Sequence, residues 1–388
     1  MWKRDRINRI VQAVFSQFSV PLTRIFLSLA VVRLYSEEYW GTYVQYLLIV
    51  QLSGAFINLG SRDYLVRAFS RNPEQIKEVL QASILGRLGV ALVVVVLLFL
   101  IPLGEMDYGL VVAWILTQLT WQFVEALNIY RRLFWQTALI ELALILILIG
   151  VFIFNAIPLQ FFLLFMVASE LIKGLCYLAL NGRFLTLQAP DFRRMLQFFK
   201  SVFPFLLLVL AGAIASRGEL YLLAIKLDAS LLGKYQVLSN FVQSSHLLAS
   251  AILLPFLKNL YRLGEWVLFK LERSFLTFGL FLTPLITLFI YVVLHYAYRF
   301  QLAREVYYLI GALIFLYFFQ AIRMQMLFRQ NQVYRATLIL LLMGVVKILA
   351  GWWLIPSWGI SGALVAAVLA YLAGNVAFWQ VPIKSLAR

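Results

Sequence analysis

The sequence predicts an all-α polytopic membrane protein, with twelve transmembrane helices in two similar six-helix halves around a central cavity. The chain is 63% hydrophobic and only 13% charged, whereas soluble domains are about 45–50% apolar. Apolar runs recur along its whole length, each near the roughly 20 residues that cross about 30 Å of hydrocarbon. They lack the alternating pattern of a transmembrane barrel, so we expect helices.

Twelve apolar runs define the predicted spans. They cover residues 10–34, 41–61, 79–101, 109–130, 136–157, 159–180, 200–227, 232–256, 274–294, 303–326, 335–355 and 359–381. The connectors are too short for a soluble domain between helices. The basic start "MWKRDRINRI" is like a signal peptide, but the helix after it contains Arg24 and lacks a convincing cleavage site. We therefore expect it to be retained as the first span.

The formal net charge is +16, and the basic residues are distributed unevenly between the two predicted faces. Most of them fall at one set of loops and at both termini, which predicts that both termini are cytoplasmic and that the number of spans is even. The opposite, outer face carries Arg33, Lys226, Lys234, Arg299 and Arg304. Because the membrane surface explains this bias, no nucleic-acid partner is predicted. The single cysteine excludes an intramolecular disulfide and a cysteine metal cluster, and no metal site is expected.

Two segments of the chain repeat in order. The stretch "VVRLYSEEYWGTYVQYLLIVQLSGAFIN" aligns with "AIKLDASLLGKYQVLSNFVQSSHLLAS", with one extra residue in the first copy. This alignment pairs Arg33 with Lys226, Gly41 with Gly233, Tyr43 with Tyr235, and Gln51 with Gln243. A second pair, "RRLFWQTALI" and "QNQVYRATLI", precedes the fifth and eleventh runs. The alternative is a chance likeness between turns.

The repeat predicts two lobes, at residues 1–190 and 191–388, that have the same orientation in the membrane. Such lobes are related by an axis along the membrane normal, and in transporters of this plan the substrate path lies between them.

Several segments resemble a known family. "RLYSEEYWGTYVQYL" and "NLGSRDYLVRAFSRN" resemble the opening of Wzx-type polysaccharide flippases, within the multidrug/oligosaccharidyl-lipid/polysaccharide exporter superfamily. "SRGELYLLAIKLDASLLGKYQVL" is similar to their seventh helix, and "WGISGALVAAVLAYLAG" to their last. The resemblance departs at Glu219, where family members often have aspartate. No counterpart of the two extra helices of lipid II flippases follows the twelfth run, so we expect a cargo other than a peptidoglycan precursor.

The resemblance implies a flippase in the plasma membrane of a bacterium or archaeon. Its cargo would be an anionic polyprenyl-diphosphate-linked oligosaccharide, moved from the cytoplasmic to the outer leaflet by alternating access. The pathway would be biosynthesis of a cell-surface polysaccharide such as O-antigen, capsule or exopolysaccharide. The implied partners are this lipid-linked oligosaccharide, the membrane lipid and polysaccharide polymerase machinery, and no cofactor is implied.

Charged residues within the predicted spans give the candidate binding site. A charge near the bilayer centre costs about 2.5–3.5 kcal/mol on insertion scales, so it is expected to face a cavity or a partner. The predicted cationic cavity consists of Arg24, Arg217, Lys347, Arg87 and Arg323. The surplus of positive charge favours an anionic cargo, because guanidinium groups bind phosphate oxygens bidentately. The alternative for Arg87 and Arg323 is that they extend to the head groups. Glu170 and Lys173, three residues apart, are expected to form a local helix pair.

Polar stripes provide the predicted lining of the cavity. On the first helix Gln17, Arg24 and Ser28 share one face, and on the eighth Gln236, Asn240, Gln243 and His246 do so. The predicted lining residues are Gln17, Gln51, Gln236, Asn240 and Gln243, whose amides suit sugar hydroxyls. Hydrogen bonding between helices is the alternative role.

Two residues are candidates for ion coupling. Glu219 follows Arg217 by two residues, and charge balance explains it equally well. His246 can titrate near neutral pH, although a hydrogen-bonded interior histidine is the plainer explanation.

Two other functions fit the composition. A drug or organic-cation exporter of the same superfamily would favour carboxylates in its cavity, which the surplus of arginine opposes. A membrane enzyme such as a polysaccharide polymerase or ligase would need a catalytic constellation on a large outer loop. The predicted outer connectors are short and carry no clustered histidines or phosphate-binding loop, so we expect a protein that is not an enzyme.

Overall fold

The computed structural model describes residues 21–100, 105–154, 157–185, 192–260, 265–330 and 332–380. Gln17, the first residue of the predicted polar stripe, lies outside these ranges. The described residues form helices and connecting turns. The helices are α1 (21–34), α2 (Glu37–Asn58), α3 (Ser61–Arg71), α4 (Ile76–Leu98), α5 (Glu105–Tyr130), α6 (Phe134–Phe154), α7 (Leu159–Asn181), α8 (Phe192–Lys226), α9 (Ala229–Leu260), α10 (Glu265–Val292), α11 (Arg304–Arg329) and α12 (Val333–Trp379). A π-helical turn, Val293–Ala297, extends α10.

Eight of the described helices are long and apolar enough to cross a membrane. They are α4 to α8 and α10 to α12, which makes the chain a multi-pass membrane protein. Helices α2 and α9 also match predicted spans, and at 22 and 32 residues they are long enough to span, but polar side chains lower their hydropathy. The total of twelve spans stays a prediction.

The predicted runs 335–355 and 359–381 follow each other without a loop in α12, two helical segments of 47 residues in all that meet at a kink. Its only non-helical residue is Gly359, with φ 52° and ψ −124°. This backbone conformation is open to glycine and costly for residues with a Cβ, so the glycine permits a sharp kink without a loop. Two predicted spans are therefore joined at one residue.

A helix that the apolar runs did not predict, α3, fills the connector after the second run. Its sequence "SRDYLVRAFSR" is too polar for a span, but Leu65 and Phe69 lie four residues apart and are both fully buried. This spacing places them on one helical face, which packs into a core with Leu80 and Val124.

The helices form two compact units. The first unit combines residues 1–44 with residues 211–388, and the second unit consists of residues 45–210. In the first unit α11 packs mainly against α12, α10 and α9; in the second, α5 packs mainly against α7. Gly174 of α7 brings that helix directly onto Thr120 of α5, a close approach typical of membrane helices. The lobes at 1–190 and 191–388, which depend on the repeat, stay a prediction.

The two copies of the repeated corner touch each other within the first unit. A Cβ atom on Gly41 would overlap the Ala229 carbonyl, and one on Gly233 would overlap the Glu37 carbonyl and lie 3.0 Å from the Gly41 nitrogen. The Glu37 carboxylate also accepts a hydrogen bond from Ser230 Oγ at 3.1 Å and pairs with Lys234 Nζ at 2.9 Å. The glycines that the repeat aligns are thus the residues that let the backbones meet.

Candidate functional site

Four basic side chains among the described residues are almost completely buried: Arg87, Lys173, Arg323 and Lys347. Three of them form an ion pair with a carboxylate on another helix. The pairs are Lys173 with Glu141, Arg323 with Glu272, and Lys347 with Glu219. Their positive charges are therefore balanced inside the protein.

Lys347 of α12 and Glu219 of α8 form the deepest of these pairs. The Lys347 Nζ atom lies 2.7 Å from Glu219 Oε2, and the two residues are 1% and 4% exposed. Tyr235 donates a hydrogen bond to Glu219 Oε1 at 3.3 Å, and Lys347 Nζ lies 5.4 Å from the centre of the Tyr371 ring. Lys347, predicted as a ligand for the cargo, is engaged by the predicted ion-coupling carboxylate.

His246 belongs to the same region of the first unit. Its ring stacks on Tyr317 with 4.7 Å between centroids, and Tyr317 meets Tyr371 edge to face at 4.5 Å. The structure thus brings both predicted ion-coupling residues, Glu219 and His246, into one aromatic cluster with Lys347. We call Glu219, Lys347, His246, Tyr317 and Tyr371 the ion-pair cluster.

A second polar group in the first unit contains Arg217 of α8 and Arg24 of α1. Arg217 Nη2 donates a hydrogen bond to Gln243 Oε1 at 3.1 Å, and Gln243 Nε2 donates to Ser239 Oγ at 3.1 Å. The positive charge of Arg24 is close enough to act on Arg217. Arg24 itself makes no hydrogen bond or ion pair with the described residues. We call these two half-buried residues the arginine pair.

Gln236 and Asn240 continue the polar stripe of α9. Both are nearly buried, and Gln236 Nε2 donates to Asn240 Oδ1 at 3.2 Å. The Gln236 oxygen and the Asn240 nitrogen have no hydrogen-bond partner within the described part of the chain. One acceptor and one donor thus remain for a ligand or a water molecule.

In the second unit, Arg87 of α4 is held by neutral groups. Its Nη1 donates to the Gln122 carbonyl at 2.8 Å, and its Nη2 donates to Ser61 Oγ at 2.5 Å. No described carboxylate pairs with Arg87, because the nearby Glu125 pairs with Arg62 at 3.3 Å. Among the described residues, Arg87 is therefore a buried cation held by neutral acceptors, with Glu125 near it but paired elsewhere. Gln51 of α2, half-buried, lies in the same unit.

Arg323 of α11 and Glu272 of α10 are 7% and 4% exposed and lie 2.5 Å apart. In this structure neither Arg323 nor Arg87 extends to the protein surface.

Glu272 and Glu141, the partners of Arg323 and Lys173, were not among the predicted site residues. Glu272 lies just before the predicted span 274–294, and Glu141 lies near the start of the span 136–157. Lys173 also reaches Glu141 on the neighbouring helix, while Glu170 accepts a hydrogen bond from Trp121 Nε1 at 2.5 Å. Lys173 therefore pairs with a carboxylate on a neighbouring helix, and the expected local pair with Glu170 stays a prediction.

Within the described ranges, no group of three or more His, Cys, Asp or Glu residues could hold a metal ion.

Comparison with solved structures identifies the fold. The lipid II flippase MurJ, in an inward closed conformation, matches with a TM-score of 0.72 at 14% identity, covering 95% of this chain and 86% of that one. A multidrug resistance MATE family transporter of the MOP superfamily, in an inward-facing conformation, matches with a TM-score of 0.59 at 14% identity, covering 95% and 93%. A MOP superfamily transporter from Pyrococcus furiosus matches at 0.53 with 13% identity, covering 96% and 93%.

No protein-family model and no curated protein matches the chain. The three structural matches are transporters or flippases rather than enzymes, which agrees with the prediction that the chain is not an enzyme. At these identities the likeness establishes the architecture alone. The chain therefore has the fold of MOP-superfamily transporters.

Proposed function

We propose that the chain is a flippase that moves an anionic polyprenyl-diphosphate-linked oligosaccharide from the cytoplasmic to the outer leaflet by alternating access. The observation that carries this proposal is the arginine pair. Arg24 and Arg217 are close enough for their like charges to act on each other, and Glu219, which also acts on Arg217, forms its ion pair with Lys347. A bound anion would relieve the repulsion that this arrangement creates.

A diphosphate suits the arginine pair chemically. Each guanidinium can bind phosphate oxygens bidentately, and two phosphates in sequence offer oxygens to both side chains. Gln243 holds the Arg217 guanidinium, while the buried amide atoms of Gln236 and Asn240 that have no partner among the described residues would bind sugar hydroxyls. Arg87, which belongs to the second unit, stays a separate predicted ligand of the cargo. Polysaccharide polymerase machinery would then receive the oligosaccharide at the outer leaflet.

Ion coupling is assigned to Glu219, with His246 in the same cluster. Protonation of Glu219 would leave Lys347 as an unpaired buried cation, and a broken buried pair typically costs about 3–5 kcal/mol. Pairing of Lys347 with another anion would then become favourable. This gives the first unit an element whose arrangement depends on a proton and on the charge of the cargo.

A drug or organic-cation exporter is the second candidate, and the ion-pair cluster favours it. If Lys347 moved away, Glu219 would keep the hydrogen bond from the Tyr235 hydroxyl and lie near Tyr371, and a carboxylate among aromatic residues suits an organic cation. The fold is compatible with this activity, since one of the matched structures is a multidrug transporter.

Reconstitution in liposomes tests the proposal. The leaflet exposure of a labelled polyprenyl-diphosphate oligosaccharide is followed with time, in parallel with the uptake of a fluorescent organic cation. We expect the parental protein to move the oligosaccharide, and Arg24→Ala and Arg217→Ala to slow it by at least about tenfold each. Arg71→Ala, which removes an exposed arginine of α3, is the matched control and should act like the parent. Cation uptake without oligosaccharide movement would instead establish the exporter.

A further inference from the structure

A cavity of about 420 Å³ opens in the first unit, at the end of α1 where the chain turns into α2. Its walls come from Arg33 and Ser36, from Glu37 and Glu38 at the start of α2, and from Tyr298 and Arg299 after the π-helical turn. The charge distribution predicts that this end of the helices faces the outer side. We call this cavity the corner pocket.

Two arginines give the corner pocket its chemistry. Arg33 and Arg299 are both exposed and form no hydrogen bond or ion pair with any residue that the structure describes. Of the two acidic residues, Glu37 is already engaged by Lys234 and Ser230. With Lys234 counted beside Glu37, three basic and two acidic side chains surround the pocket, a net charge of +1.

Arg299 lies directly after the π-helical turn that ends α10. It has φ 62°, in the left-handed region that residues with a Cβ seldom adopt. The Tyr298 and Phe300 amides donate to the Val293 and Leu294 carbonyls at 3.1 and 2.9 Å, a pattern typical of a helix C-terminus. The helix end therefore fixes the backbone position of Arg299 at the edge of the pocket.

Tyr298 makes the wall of the pocket rigid. Its hydroxyl donates to the Ile25 carbonyl at 2.8 Å and lies 2.7 Å from Ser28 Oγ, and only 3% of the residue is exposed. Burial raises the pKa of the Tyr298 phenol, so it stays protonated and keeps these hydrogen bonds. Arg299 is therefore attached to a fixed point on α1.

The helix that ends at the pocket exposes apolar side chains. Leu22, Phe26 and Leu34 of α1 are 44%, 55% and 49% exposed, an apolar surface that lipid chains would cover if α1 spans the bilayer, as the sequence predicts. A molecule with a charged head in the corner pocket could lay a hydrocarbon chain along this surface.

We propose that the corner pocket binds the phosphate head group of a membrane lipid. The two guanidinium groups bind the phosphate oxygens, the Glu38 carboxylate and the Ser36 hydroxyl contact a hydroxyl or amino substituent of the head group, and the chains run along α1. This inference is independent of the cargo, because the corner pocket shares no residue with the arginine pair or the ion-pair cluster.

Native mass spectrometry of the full-length protein in detergent tests the inference. Three probes separate the sources of phosphate: phosphatidylglycerol, diacylglycerol with the same chains but no phosphate, and glycerol phosphate without chains. We expect the parental protein to retain phosphatidylglycerol in preference to both others. Arg33→Ala should weaken this binding by about tenfold, the loss expected for one charge-assisted contact.

Arg299→Gly separates binding from folding. It removes the guanidinium but relieves the left-handed backbone, so thermal stability should hold or rise while phosphatidylglycerol binding falls by about tenfold. Arg304→Ala, an exposed arginine of the same predicted face that does not line the pocket, is the matched control and should bind like the parent. Parental binding by Arg33→Ala and Arg299→Gly would overturn the inference. Glycerol phosphate binding as tightly as phosphatidylglycerol would overturn the assignment to a lipid.

Discussion

The ammonium group of Lys347 lies 2.7 Å from the Glu219 carboxylate, and both residues are enclosed by the helices of one compact unit. Two buried charges of opposite sign offset part of each other's desolvation cost, whereas either charge left alone is strongly destabilising. The pair therefore makes the stability of the first unit sensitive to which partner is removed.

Lys347→Met should destabilise the protein by about 3–5 kcal/mol, because it leaves Glu219 buried and unpaired. Adding Glu219→Gln to that variant should recover most of the loss. Thermal unfolding in detergent, followed by a thiol-independent fluorescence signal, measures both. Equal destabilisation in the single and double variants would show that the pair does not act as a unit.

The same substitution at two buried arginines should have unequal effects. Arg323→Met removes the partner of Glu272, whereas Arg87→Met removes a cation that no described carboxylate balances. We expect Arg323→Met to be less stable than Arg87→Met by about 2 kcal/mol or more in the same unfolding assay. If Arg87→Met were the more damaging change, the neutral acceptors around Arg87 would be sufficient compensation for its charge.

The contact between the two repeated segments, at Gly41 and Gly233, should not tolerate a side chain at either glycine. Gly41→Ala and Gly233→Ala place a Cβ against backbone atoms of Ala229 and Glu37, and backbone cannot rotate away as a side chain can. We expect each to lower stability by about 1–3 kcal/mol or more. Gly89→Ala of α4, where no atom lies within 4 Å of the added Cβ, is the control. It should be neutral or stabilising by up to about 1 kcal/mol.

Gly359→Ala tests the backbone alone. No atom lies within 4 Å of the Cβ that it adds, so any loss comes from the positive φ, which should cost about 1–3 kcal/mol. Gly212→Ala in α8 has equally open surroundings and a helical backbone, and should not destabilise. Equal unfolding temperatures for the two variants would show that α12 can straighten at residue 359.

Hydropathy predicted where most helices lie, because the bilayer requires long apolar stretches whatever their neighbours are. It could not predict α3, whose burial depends on Leu65 and Phe69 reaching a core built by other helices. Nor could it predict that Gly359 replaces a loop, since a kink and a short turn have the same apolar flanks.

The candidate site was predicted in its parts but not in its pairings. Polar residues in apolar runs identified Arg24, Arg217, Glu219 and Lys347, because each is costly in lipid. Which charges neutralise each other depends on the rotation of separate helices, and this is absent from a single sequence. Lys347 was therefore grouped with the arginines, and Glu272 was not considered at all.

The contact between Gly41 and Gly233 has a mechanical consequence for α9. This helix starts at the contact and runs for 32 residues, about 48 Å at 1.5 Å per residue. The backbones are in direct contact, and the Glu37 carboxylate binds Ser230 and Lys234 of α9. These contacts leave α9 little freedom to slide along α2 but some freedom to tilt. A tilt of about 10° at this fulcrum would sweep the far end of α9 through about 8 Å. The two glycines of the repeat would thus act as the pivot of a helix about 48 Å long.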